Sequence, residues 1–214
     1  MAKVVVRNLA ISLDGYVAGP NQSLDAPIGE RGHDLHEWVF ATRSWHERVG
    51  ESGGSAGVDN DFLLASDVGV GATIMGRNMF GPQRGVWPDD GWQGWWGDEP
   101  PYHHATFVLT HHPRPALPMQ GGTTFHFVDD GIEAVLERAM EAAGGQDVKI
   151  AGGASTVRQY LAAGLIDELH LAITPVLLGT GERLFGDLAD LPERYHVVEH
   201  ICSPAVMHVR IARR

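Results

Sequence analysis

Val148-Lys149-Ile150-Ala151-Gly152-Gly153-Ala154-Ser155-Thr156 is the stretch from which the rest of the chain can be read. A short apolar strand runs into two glycines and then straight into a helix. The first-turn N–H groups of such a helix have no partner inside it and carry the positive end of its dipole. Glycines let a phosphate approach that backbone closely, and Ser155 and Thr156 add hydroxyl donors. By itself the stretch fits equally well a tight strand-to-helix turn that holds nothing, because glycine-rich turns of this kind are common.

Working outward, the strand covers Asp147 to Ala151, and the helix reaches Ala163 with Gly164 ending it. Upstream, Gly131 to Ala143 is the clearest helix. Ile132, Val135, Leu136, Ala139, Met140 and Ala143 form one apolar stripe, and Asp130 is the expected N-cap. Thr124 to Val128, Thr106 to Thr110 and Ala72 to Met75 read as strands, and Lys3 to Leu13 as a strand buried on both faces. Asp34 to Val49 spaces Leu35, Trp38, Val39 and Trp45 as a helix does, and Val58 to Val68 reads as a second, shorter one. Downstream, Glu168 to Thr174 is a strand. Tyr195 to Ile201 and Val206 to Ala212 form a hairpin turning at Ser203-Pro204. Alternating strands and helices predict a single α/β domain over residues 1–214. Its sheet is mainly parallel and covered by helices on both faces, and the terminal hairpin adds an antiparallel edge strand. Between Gly81 and Pro101 the chain is dense in Gly, Pro, Asp and Trp, which predicts a long ordered loop or lid.

The bulk numbers narrow the function. The chain has 214 residues, a net charge of −11 and no basic run, which argues against a nucleic-acid partner. No apolar run is long enough to cross a bilayer, and Met1 to Arg7 lacks the shape of a signal peptide. The single cysteine, Cys202, excludes an intrachain disulfide and fits a reducing cytoplasm. The twelve histidines are scattered without a metal-binding spacing, so no metal is expected. Gly53-Gly54-Ser55-Ala56-Gly57 matches a nucleophile elbow in letters only, because its polar flank carries no strand.

Other motifs sit at strand ends, where open α/β sheets bind ligands. Thr73 to Phe80 is a strand ending at Gly76-Arg77 and opening a short helix. Arg77 offers a planar fork for phosphate, or else is a solvated helix-start residue. Leu109-Thr110-His111-His112-Pro113 ends a strand in groups able to contact a ribose phosphate, or simply caps a loop. Asp14, in Ser12-Leu13-Asp14-Gly15, can bind substrate or relay a proton, or serve as a turn-forming Asp before Gly. Trp87, Trp92, Trp95 and Trp96 either wall a planar heterocycle or pack the loop onto the body.

Taken in order, these pieces resemble the dihydrofolate-reductase superfamily, most closely the C-terminal reductase domain of riboflavin-biosynthesis proteins. Ser12 to Gly15, Gly76-Arg77, Leu109-Thr110-His111, Ile150 to Leu161, Gly164 to Leu171 and Pro175 to Gly181 carry the resemblance, which spans nearly the whole chain. It implies a three-layer α/β/α fold and reduction of a small heterocyclic or ribosyl substrate by NADPH, like that of 5-amino-6-(5-phosphoribosylamino)uracil. It further implies that Ala10 and Val17 line the nicotinamide and that Gly76 and Arg77 take the adenosine 2′-phosphate, favouring NADPH over NADH, with Thr110 and His111 nearby. Gly152, Gly153, Ala154, Ser155 and Thr156 would hold the pyrophosphate, the two glycines joined by a cis peptide. Gly179 would lie near the nicotinamide half, and the chain would form a homodimer. Asp14 is the candidate for proton or substrate handling. Two departures stand out: the loop from Gly81 is longer than that domain carries, and the acid that dihydrofolate reductases place on their first helix has only Asp34 or Glu37 as an equivalent. A pterin reductase and a non-catalytic nucleotide-binding module are the alternatives.

Overall fold

The computed structural model describes residues 2–88, 91–186 and 188–214. In chain order the strands are β1 (Val4–Ser12), β2 (Tyr16–Ala18), β3 (Val70–Gly76), β4 (Ala105–Leu109), β5 (Leu117–Pro118), β6 (Thr124–Val128), β7 (Asp147–Gly152), β8 (Glu168–Thr174), β9 (Glu182–Arg183), β10 (Tyr195–Cys202) and β11 (Met207–Arg213). The helices are α1 (Glu37–Phe40), α2 (Arg43–Arg48), α3 (Val58–Leu64), α4 (Arg77–Phe80), α5 (Ile132–Ala142), α6 (Ala154–Ala162) and α7 (Leu191–Arg194).

The described residues build a sheet in the order β10-β11-β8-β1-β7-β3-β4-β6-β5. The six strands from β8 to β6 run parallel. The terminal hairpin joins β8 antiparallel through β11, so β10 is the outer edge, and β5 closes the other edge antiparallel. Strand alternation sorts side chains to two faces. Ala72, Ile74, Phe107, Val148, Ile150, Leu169 and Leu171 share one core with the inner faces of α5 and α6. The opposite face carries Met75, Val108, Phe125 and Phe127 against the tryptophan-rich loop, and Ala172 against Trp38 of α1. This is the α/β/α layering the alternation implied.

The α5 stripe is buried as its spacing predicts, but its cap differs. Gly131, at φ 86°, occupies the N-cap position with no side-chain bond, and Asp130 instead pairs with Arg138 at 2.5 Å. The helix expected over 34–49 is broken. A 3-10 turn (Gly32–His36) leads into α1, and Thr42 then adopts an extended backbone (φ −82°, ψ 153°) and forms a bridge with Ser55. Thr42 caps α2 by accepting from the Trp45 N–H at 3.3 Å. The bridge to Ser55 and the cap together override the apolar spacing. The second expected helix tightens into a 3-10 turn at Ala65–Asp67.

β1 is also less regular than its composition implies. Asn8 sits at φ 54°, and the pairing with β8 shifts between Val6 and Leu9. This bulge is braced from behind. The Asn8 N–H donates to His170 Nδ1 at 3.1 Å, His170 Nε2 meets His208 Nδ1 at 3.0 Å, and His208 Nε2 meets Asp59 Oδ1 at 3.0 Å. The Asn8 donor leaves the proton of neutral His170 on Nε2, which in turn places that of neutral His208 on Nε2, facing the carboxylate. Phe62 of α3 stacks on both imidazoles, with centroids at 4.4 and 4.1 Å. Burial holds His170 well below its ordinary pKa, at about 3, with His208 and Arg210 adding to the effect.

Candidate active site

The carboxyl ends of β3, β4, β6 and β7 open onto one cavity of about 830 Å³, within the range of small-molecule and cofactor sites. At its centre β7 ends in Gly152-Gly153, joined by a cis peptide, and α6 begins one residue later. Gly152 has φ 139°, a conformation that side-chain-bearing residues avoid. A Cβ on Gly153 would meet nothing within 4 Å, so the turn faces open cavity. No side chain caps α6, which leaves its first-turn N–H groups available to an anion. Gly76 makes the close approach on the neighbouring strand: a Cβ there would lie 2.4 Å from Thr156 Oγ1. The turn is thus a bare backbone cradle whose free N–H groups could hold an anion such as a phosphate.

Ala10, Val17, Gly76, Arg77, Thr110, His111, Gly152, Gly153, Ala154, Ser155 and Thr156 all line this cavity. The Thr110 hydroxyl accepts from the His112 N–H at 3.1 Å, which folds the strand end back over the rim. Gly179 does not line the cavity. Its N–H donates to Asp14 Oδ2 at 2.6 Å, so its service is to the loop after β8. Asp14 also lies off the cavity wall. It accepts the Ser12 hydroxyl at 2.6 Å and the Leu178 N–H at 3.1 Å. The Ser12 bond, with those from Gly179 and Leu178, outweighs burial and holds the carboxyl down at about 2. A group so held has no proton to give near neutral pH, and its geometry is that of a brace between the β1 turn and the 175–181 loop.

Neither Asp34 nor Glu37 reaches the cavity: Asp34 pairs with Arg31 at 3.0 Å, and Glu37 is exposed. Three carboxylates do line it, Asp67, Asp129 and Glu182, and of these Asp67, from the 3-10 turn before β3, is ion-paired to a strand of the sheet. Lys149 Nζ reaches Asp67 Oδ1 at 2.7 Å, and Ser66 Oγ donates to Oδ2 at 2.8 Å. Burial acts to raise the Asp67 pKa, but the adjoining Lys149, then Ser66 and Arg48, prevail and lower it. Lys149 stands three residues before Gly152, so strand rise places the pair roughly 10 Å along β7 from the glycine turn. A largely buried lysine in the middle of a parallel sheet, with a side chain 12% exposed, is costly unless it is paired. The reading from sequence passed over it, although one charged letter between Val148 and Ile150 was a visible signal.

The long loop packs onto the body of the domain and also reaches the cavity wall. The indole N–H groups of Trp87, Trp92 and Trp95 donate to the backbone carbonyls of His112, Phe80 and Met79 at 2.6, 2.9 and 3.0 Å, and Trp96 stacks on Phe125. These contacts pack the loop onto α4, β6 and the segment that follows β4, while Trp95 and Trp96 also contribute to the cavity wall. Residues 89 and 90 of the loop lie outside the described residues.

A mainly parallel sheet with helices on both faces, an antiparallel edge and a glycine cradle at the strand ends defines a dihydrofolate-reductase-like α/β protein. Residues 3–202 match the RibD C-terminal domain family, and the chain belongs to it. Among solved structures it resembles a putative riboflavin biosynthesis protein from Shewanella sp. PV-4, at 23% identity and TM-score 0.60, covering 100% of this chain and 99% of that one. It also resembles dihydrofolate reductase from Enterococcus faecalis complexed with NADP(H), at 14% identity and TM-score 0.52, covering 100% and 96%. At these identities the likeness speaks for the fold alone. Among curated proteins, YwjB of Bacillus subtilis is 26% identical over 191 residues, 89% of this chain and 87% of that one. YyaP of the same organism is 37% identical over 62 residues, covering 29% of this chain and 32% of the other. Both are uncharacterized. Among the described residues no helix is long and apolar enough to cross a membrane.

Proposed function

We propose that this chain is an NADPH-dependent reductase acting on a small heterocyclic or ribosyl substrate of the kind handled in riboflavin biosynthesis. The observation that carries the reading is one cavity holding two kinds of group. The open glycine cradle with the α6 N-terminus and Arg77 suits a phosphorylated dinucleotide. The Lys149–Asp67 pair farther along β7 suits a polar substrate.

When bound, the nicotinamide would supply the hydride. The chain's own residues position the partners. The backbone of Gly153 to Ser155 would hold the pyrophosphate, and Ala10 and Val17 would give an apolar wall that keeps water from the ring. Arg77 brings positive charge to the adenosine end. Lys149 carries donors at Nζ, and Asp67 orients them through its ion pair, so substrate oxygen atoms would be gripped there. No observation favours a pterin reductase using Asp34 or Glu37, since neither faces the cavity.

Thermal unfolding with NADPH and with NADH tests the reading. NADPH should raise the melting temperature more than NADH does, and Arg77→Ala should erase the difference. Equal shifts in the wild type would refute recognition of the adenosine phosphate at the Arg77 end of the cavity. NADPH binding without oxidation against riboflavin-pathway and pterin substrates would favour a non-catalytic binding module instead.

A further inference from the structure

The adenosine end of the cavity holds more positive charge than the reading above assigns. Arg77, the first residue of α4, lays its guanidinium on the Trp87 ring, 3.8 Å from the centroid, and donates through Nη1 to the Gly85 carbonyl. Its Nε and Nη2 are enclosed and have no hydrogen-bond partner among the described residues. Arg114 also lies over Trp87, at 4.5 Å, and donates to the Trp92 carbonyl at 2.7 Å. Burial, then the charges of Arg114 and Arg84, lower the Arg77 pKa, so Arg84 acts within the same field.

Arg84 differs from the other two. It is exposed, lines the same cavity and forms no ion pair among the described residues. It directly precedes Gly85, the residue whose carbonyl Arg77 grips. Converging arginines in a chain of net charge −11 form a local cationic site against the overall charge. Arg77 has spent Nη1 on the loop, and its remaining nitrogens are shielded, so its direct reach toward a ligand is limited. The loop before Trp87 supplies an exposed donor fork at Arg84.

We propose that Arg84 is a specificity-determining residue, delivered by the 81–88 segment to the 2′-phosphate of NADPH, and that Arg77 is a positioning residue that anchors this segment through Gly85. The inference rests on the cofactor reading above. It commits to the dinucleotide phosphate, because Arg84 shares the cavity wall with Gly76, Thr110 and His111 at the strand ends that flank the glycine cradle.

Dissociation constants for NADPH, NADH and adenosine 2′,5′-bisphosphate, measured calorimetrically at low and high salt, test it. Losing a charge-assisted contact to phosphate should weaken NADPH about tenfold in Arg84→Ala, leaving NADH unchanged. The bisphosphate should weaken in parallel, and the salt dependence of NADPH binding should flatten. Arg84→Lys should restore part of the loss, and Arg84→Glu should deepen it. An unchanged melting temperature for the free Arg84→Ala variant verifies that the exposed substitution leaves the fold intact. If the wild type prefers NADPH and Arg84→Ala keeps the same NADPH-to-NADH ratio, the role of Arg84 is overturned while the cofactor reading stands. If the wild type binds neither dinucleotide, the cofactor reading itself fails and this inference fails with it.

Discussion

Acid should destabilise this fold through His170, and the size of the effect follows from its surroundings. The imidazole is 6% exposed, stacked on Phe62 and bonded between the Asn8 N–H and His208. Its folded-state pKa is near 3, lowered first by burial, against about 6.5 in an unfolded chain. Between those values the unfolded chain binds a proton that the folded chain refuses. The stability His170 contributes is therefore complete above pH 6.5 and is lost as pH falls toward 3. At pH 5 the unfolded histidine is almost fully protonated and the folded one is not, so the loss relative to pH 7.5 is about 2 kcal/mol. His208 works in the same direction: burial lowers it, although Asp59 pulls the other way. Urea unfolding at pH 7.5 and 5.0, on the wild type and on His170→Asn, isolates the term. The asparagine oxygen can still accept from the Asn8 N–H but does not titrate, and groups remote from the imidazole chain cancel in the comparison, while an NMR titration of His208 in both proteins corrects for the one neighbour bonded to His170. The wild type should lose about 2 kcal/mol more than the variant between the two pH values. Equal losses, or an NMR titration placing His170 near 6.5, would refute the reasoning.

Gly76→Ala should cost about 1–3 kcal/mol, because its Cβ would fall 2.4 Å from Thr156 Oγ1 and push β3 from α6. NADPH affinity should drop with it, read by chemical unfolding and by calorimetry. Lys149→Met should abolish turnover while leaving NADPH affinity within about twofold. Stability should fall by only about 1 kcal/mol, since Asp67 is 41% exposed and water can take up part of its charge. Loss of NADPH binding in that variant would move Lys149 to the cofactor. The chain should run as a homodimer in light scattering, since β10 is an edge strand eight residues long with Val197 and Val198 exposed. A monomer at micromolar concentration would contradict this.

Reading the chain as a line recovered what is written locally. β6 and β8 have the bounds their apolar runs implied, and the α5 stripe faces the core residue for residue. The glycine turn after β7 is where composition placed it, because glycine punctuation and burial periodicity are properties of neighbouring residues. The misreadings near α1 and α5 were contests between local signals. Apolar spacing lost to a capping threonine that also bridges to Ser55, and an aspartate lost the cap to the glycine beside it.

The sequence by itself determined the order of the principal elements, their layering and the place of the glycine turn, all of which follow from periodicity and backbone freedom. Only the tertiary structure decided which charges meet. Asp67 and Lys149 are 82 positions apart and are joined by strand order, since β3 pairs beside β7. The imidazole chain behind Asn8 needs α3, β8 and β11 at one place, and Asp14 is turned from the cavity by backbone donors 164 and 165 residues away. Such contacts arise from crossover connections that carry no trace in the local pattern. The Gly152-Gly153 cradle was therefore readable from its letters, whereas the groups assembled around it were not.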